Sequence, residues 1–200
     1  PRATRQNGAR NLHFARTSFY ARLSMKHFFF PQEFRALFEQ SVARYARGEP
    51  LETFFSVEEK NWLAAHGLAP QHLYDYAEDY HKYDREPGLE QALAIELVRR
   101  DYFWNVQGGR ASSTRLDPAT LPAKTEAIRG IAWLPRLLPK AKAKLRGELP
   151  PTLMFGCGGD RAFFKQHDIV PAEFLSAIWR FNFEDAAIVD WVVQRRAASL

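Results

Sequence analysis

Apolar positions recur at intervals of three and four residues over most of the chain, the spacing that gathers them on one face of an α-helix. Phe34, Leu37, Phe38, Val42 and Tyr45 form the first stripe; Pro31 suits its opening turn, and Gly48 and Pro50 stop it. Ser56 stands three residues before Glu59, a capping box in which hydroxyl and carboxylate satisfy orphan amides at a helix start. That second helix carries Trp62 and Leu63 and ends at Gly67. A third is predicted from Pro70, with Leu73, Tyr76, Ala77 and Tyr80 on one side, and runs out in the charged stretch 82–86 before Pro87 and Gly88. From Leu89 the residues Leu89, Ala92, Leu93, Leu97, Arg100 or Asp101 and Trp104 fall along one stripe, which predicts a long core helix ending at Gly108 and Gly109.

Residues 109–120 are small, polar and turn-forming and offer almost nothing to bury, so they read as a linker. Beyond it, 121–145 is apolar and basic, and Pro135 and Pro139 must kink or divide any helix there. Residues 152–155 form a short apolar stretch suited to a lone strand or a buried loop, and further helices are expected at about 160–166, 171–180 and 184–195. The predicted fold class is all-α, with two small helical units, 25–108 and 121–200, joined by the polar linker. One similarity crosses that linker: residues 59–73 align without gaps with residues 160–174, matching Trp62 with Phe163, His66 with His167, Leu68 with Ile169 and Pro70 with Pro171. Both stretches read as two helices around a tight αα-corner.

The Leu134-Pro135-Arg136 helix with its Lys/Arg-Ala alternation, the Phe155-Gly156-Cys157 turn, Asp160 opening a helix and Pro171-Ala172-Glu173-Phe174-Leu175 opening the next occur in a recognisable order. In that order the last 85 or so residues resemble a bacterial family catalogued as domain of unknown function 5069. The resemblance implies a small, mainly helical cytoplasmic domain, and it brings no activity and no catalytic residues with it.

Charge is segregated. Residues 1–26 carry six basic side chains and no acidic one, 49–101 carry twelve acidic and five basic, and 121–150 carry seven basic and two acidic. Lobes of opposite sign either dock on one another or keep different partners. The acid-free start fits a basic tail over 1–24, disordered or upstream of a true start at Met25, and also a transit peptide. A single cysteine cannot form an internal disulfide, which points to a reducing, cytoplasmic setting. No run of about 18 apolar residues is present to span a bilayer.

Three places could carry chemistry. In Gly156-Cys157-Gly158-Gly159-Asp160 the glycines let backbone amides converge on an anion, and a helix start beside a thiol favours its thiolate. The plainer reading is a packed structural cysteine with Asp160 as N-cap. Neither a Walker loop nor a dinucleotide fingerprint is completed there, so no cofactor is implied. Arg136, Lys140, Lys142, Lys144 and Arg146 alternate with small or apolar residues, a strip suited to phosphates, nucleic acid or an acidic protein, or to the acidic segment of the same chain. Glu78 and His81 form a Glu-x-x-His pair near His72, Asp75 and Asp79, with Glu96 and Asp101 available to complete a metal site; a solvated acidic helix end is the alternative. Together these readings favour a helical binding or interaction module without evident catalysis. A thiol protein or small-molecule enzyme using the glycine loop, and a nucleic-acid or acidic-partner binder using the basic strip, are the alternatives. Partner, ligand and oligomeric state are not encoded in any motif.

Overall fold

A computed structural model describes residues 27–198, so the basic tail expected over 1–24 lies outside the described residues. The fold is all-α, with eight helices and one two-stranded sheet among those residues. The helices are α1 (Phe30–Ala46), α2 (Val57–Ala65), α3 (Pro70–Lys82), α4 (Leu89–Asn105), α5 (Leu134–Arg146), α6 (Gly158–Gln166), α7 (Pro171–Arg180) and α8 (Asp185–Ala198). Local signals fix many of these ends. The Ser56 capping box is present, with the Glu59 amide donating to Ser56 Oγ at 3.2 Å and the Ser56 amide donating to Glu59 Oε2 at 2.8 Å. Pro70, Pro135 and Pro171 each occupy a first-turn position, where a missing N–H costs nothing.

The described residues divide into two units, up to residue 37 and from residue 38 on, with the boundary inside α1. In the first, the rings of Phe30 and Phe34 lie 5.8 Å apart on successive turns. The second is one body: α4 packs on α5 and α7, and α5 packs on α7. Its core joins Ile95 and Tyr102 of α4 to Leu134, Leu137 and Ala141 of α5, Phe164 of α6, Phe174 and Ile178 of α7, and Ile188 and Val192 of α8. Residues 109–120 therefore connect elements of one compact unit instead of separating two. They are also pinned, by the Leu116 amide on the Glu148 carbonyl at 2.9 Å and by Ser112 Oγ on Glu148 Oε1 at 2.8 Å.

Two local expectations change. Residues 152–155 form no strand; Phe155 is buried and the rest is turn and loop, the alternative that the same apolar stretch allowed. The strands lie instead at Ala127–Ile128 and Ile131–Ala132, paired antiparallel with Ile128 opposite Ile131. Arg129 and Gly130 between them both have positive φ, 53° and 76°, the demand of a type I′ hairpin turn. The αα-corners do recur. His66 and His167 close their helices at φ, ψ of −105°, 7° and −107°, 8°, and each ring packs on the aromatic four residues earlier, at 4.4 and 4.5 Å.

Candidate functional site

The glycine loop is built from the side chain of Asp160 outward. This carboxylate is fully buried at the third position of α6, with Cys157 and not Asp160 as the N-cap. Asp160 Oδ2 accepts from Lys140 Nζ at 2.6 Å and from the Gly156 amide at 2.9 Å, while Oδ1 accepts from the Trp133 indole at 2.9 Å. One buried carboxylate thus ties α5, the 156–160 loop and the residue before α5 together. Lys140 Nζ also lies 3.4 Å from Cys157 Sγ, so the half-buried thiol has a cation beside it. Arg161 completes the frame from the other side, donating from one guanidinium nitrogen to Asp79 Oδ2 of α3 and to the Gly156 carbonyl, both at 2.7 Å.

Two glycines of the loop are explained by this frame. Gly156 has φ of 87°, a conformation that side chains with a Cβ rarely adopt. A Cβ on Gly159 would stand 2.3 Å from the Trp133 ring, which is held over the loop by its bond to Asp160. Trp133 itself adopts φ of 70°, a costly conformation for a bulky residue. Gly158 is different: its φ is ordinary, it is exposed, and a Cβ would come no nearer than 3.9 Å to any side chain. Fold geometry does not require glycine there, whereas close approach of a ligand to backbone would.

The loop opens onto a cleft of about 550 Å³. Gln71, Asp75, Glu78 and Asp79 of α3 line it together with Lys124, Trp133, Arg136 and Lys140. Residues 151–154, Cys157, Gly158 and Gly159 close the end. The first-turn amides of α6 have no acceptor within their helix, and the helix dipole makes that end electropositive. Burial pushes the Asp75 carboxyl up to about 7, although the Gln71 amide nitrogen donates to it at 2.7 Å; Glu78 and Asp79 push in the same direction and Lys144 opposes them. A smaller cavity of about 220 Å³ is lined by Arg161 and Lys165, whose cations are already paired with Asp79 and Glu86.

The basic strip is not one surface. Lys140 and Lys144 are buried, at 3% and 2% exposure, in ion pairs with Asp160 and Glu96. Lys142 pairs with Asp185 at 2.9 Å, and the Arg146 guanidinium lies 4.2 Å from the Phe183 ring centroid. Arg136 donates to the Pro122 carbonyl at 2.8 Å and lines the cleft. The cause is helical pitch: residues two apart point about 200° from one another, so the alternation splits into a buried 140/144 face and an outer 142/146 face.

Lys144 anchors a second buried cluster. Its ammonium donates to Glu96 Oε1 at 2.5 Å and to His72 Nδ1 at 3.0 Å, and the Tyr76 hydroxyl donates to the same Glu96 oxygen at 2.8 Å. Burial lowers His72 to about 3, with Lys144 adding to the effect, so this imidazole is neutral and accepts from the ammonium. Burial, the largest single effect, would raise Glu96, but the Lys144 charge, His72 and the hydrogen bonds from Lys144 and Tyr76 together outweigh it and hold the carboxyl below its ordinary value. The cluster locks α3, α4 and α5 together and is closed to solvent. Arg99, one turn after Glu96, is also buried; desolvation brings it down to about 10, and it donates to Gln107 Oε1 at 2.9 Å.

Glu78 and His81 turn to other partners. Glu78 Oε1 accepts from Lys82 Nζ at 2.7 Å and from the Tyr45 hydroxyl at 3.2 Å; His81 Nε2 lies 2.9 Å from the Val42 carbonyl, its ring stacked on Tyr45. Among the described residues no three His, Cys, Asp or Glu side chains are grouped to hold a metal ion. Within the same residues no helix is long and apolar enough to cross a membrane. Of the cleft residues, Trp133 and Lys124 carry no sequence signal: one depends on a left-handed backbone angle and the other on where the hairpin places its flank.

Compared with known proteins, the chain matches no family model, no curated protein and no solved structure.

Proposed function

We propose that this protein binds a small anionic molecule in the cleft beside the 156–160 loop. The observation that carries the reading is the cleft's basic side: Arg136 and Lys124 line it with no ion-pair partner among the described residues, next to the open amide edge at Gly158. Lys140 is committed to Asp160, so it holds the loop in shape and adds positive charge beside Cys157. The reading is a binding function, with Cys157 as a lining thiol and no chemical step assigned to it. The single cysteine and the likeness of the last 85 or so residues to the bacterial family named above support a bacterial, cytoplasmic setting.

Cys157 is the chain's one thiol and reports on the cleft directly. Iodoacetate and iodoacetamide differ mainly in charge, so their rate ratio at this thiol measures local potential. The ratio in native protein should exceed that in urea-unfolded protein by about threefold or more, the scale of a unit charge interaction near a protein surface. It should fall with added salt and in Arg136→Gln. A native ratio equal to or below the unfolded one defeats the reading.

A further inference from the structure

Removing the internal pairs from the cleft leaves an unequal set of charges in its lining. Asp79 is committed to Arg161, Glu78 to Lys82 and Tyr45, and Lys140 to Asp160. What remains is Arg136 and Lys124 and, from α3, Asp75, on which neither of those cations acts. Asp75 has one hydrogen bond, from Gln71, and no ion-pair partner among the described residues. The groups acting on it are Gln71, Glu78 and Asp79 of its own helix and Lys144 of α5. Lys144 is spent on Glu96 and His72. A carboxyl in this state takes either a proton or a cation brought into the cleft, and a ligand amine is such a cation.

We propose, resting on the anion-binding reading above, that the ligand is a small amine-bearing anion, with its carboxylate or phosphate towards Arg136 and Lys124 and its protonated amine towards Asp75. Two separated, oppositely charged anchors give orientation as well as affinity. They also reject molecules carrying only one pole, since each would leave one anchor desolvated and unpaired. The cleft volume of about 550 Å³ admits a molecule of this class.

The test is calorimetric titration of the full chain at about pH 8, where Asp75 is mainly ionised. Two matched sets serve as probes: O-phosphoethanolamine, ethyl phosphate and ethanolamine, and then β-alanine and propionate. The better of the two dipolar compounds should bind roughly fivefold or more tightly than its partner lacking the amine, and ethanolamine should bind weakest. Which set shows the difference decides between phosphate and carboxylate. Asp75→Asn should abolish the advantage of the amine without weakening ethyl phosphate or propionate, from which it removes a repelling charge, whereas Arg136→Gln should weaken both members of the pair. Equal binding of each dipolar compound and its amine-free partner, unaltered by Asp75→Asn and with ethanolamine still weakest, overturns the dipolar ligand and leaves the anion reading standing. Absence of binding by every probe at millimolar concentration, in protein whose far-UV circular dichroism shows it folded, overturns both.

Discussion

At the scale of single residues, Asp75 links the cleft's chemistry to the protein's stability. Its carboxyl ionises near 3.8 in the unfolded chain and at about 7 in the folded one. Between those values folding takes up a proton, so this group lowers stability as pH rises through the window and exerts its full cost above about 7. Asp75→Asn should therefore unfold at the same temperature as the parent near pH 4 and at a higher temperature at pH 8. Thermal unfolding followed across that range checks this, and a constant difference contradicts it. Gly158 and Gly159 are adjacent and identical in type but are predicted to separate cleanly. Gly159→Ala drives a methyl into the Trp133 ring and should cost about 1–3 kcal/mol in urea unfolding. Gly158→Ala makes only an ordinary contact with the end of the Arg161 side chain and should change stability by less than about 0.5 kcal/mol, while weakening anion binding at the helix start.

At the scale of elements, helix ends were the most legible part of the sequence. Ser56 with Glu59, and Pro70 and Pro171 at their first turns, are local devices that work wherever the helix lies. Faces were less legible. The stripe read from α4 includes Ala92 and Arg100, which are buried, but also Leu93, Leu97 and Trp104, which are not, and it misses the buried Ile95, Glu96, Arg99, Tyr102 and Phe103; Leu97 is exposed. Periodicity fails there because apolar and polar residues are mixed all round the helix and charge is buried on its inner face, where partners on α3 and α5 decide the orientation. The glycine loop is legible as a site candidate, but its cation, Lys140, reads from the sequence as part of a basic strip for phosphates, an acidic partner or the acidic segment of the same chain, with nothing to link it to Asp160. The Lys144–Glu96 pair gives the element-scale prediction. Lys144→Met leaves Glu96 buried without its cation and should cost about 3–5 kcal/mol, and adding Glu96→Gln should recover much of that loss. Urea denaturation of the two single variants and the double variant supplies the cycle, and strictly additive losses would refute the coupling.

At the scale of the whole molecule, the alternation of charge along the sequence is partly spent inside the fold. Glu96 and Asp79 from the acidic segment meet Lys144 and Arg161 from the other side of the 109–120 connection, and Glu86 meets Lys165. Such pairs, with the core shared by α4, α5 and α7, predict that residues 38–198 unfold in one cooperative step; tryptophan fluorescence and far-UV circular dichroism should give coincident transitions. The central claim is that this body presents one anion-binding cleft. A ¹⁵N-resolved NMR titration with inorganic phosphate tests it most directly, because it reports position as well as affinity. Saturable shifts should concentrate on the amides of Gly158 and Gly159, the Trp133 indole and the backbone around Lys124 and Arg136. Shifts that fail to saturate, or that gather on another face while these signals stay still, would contradict it.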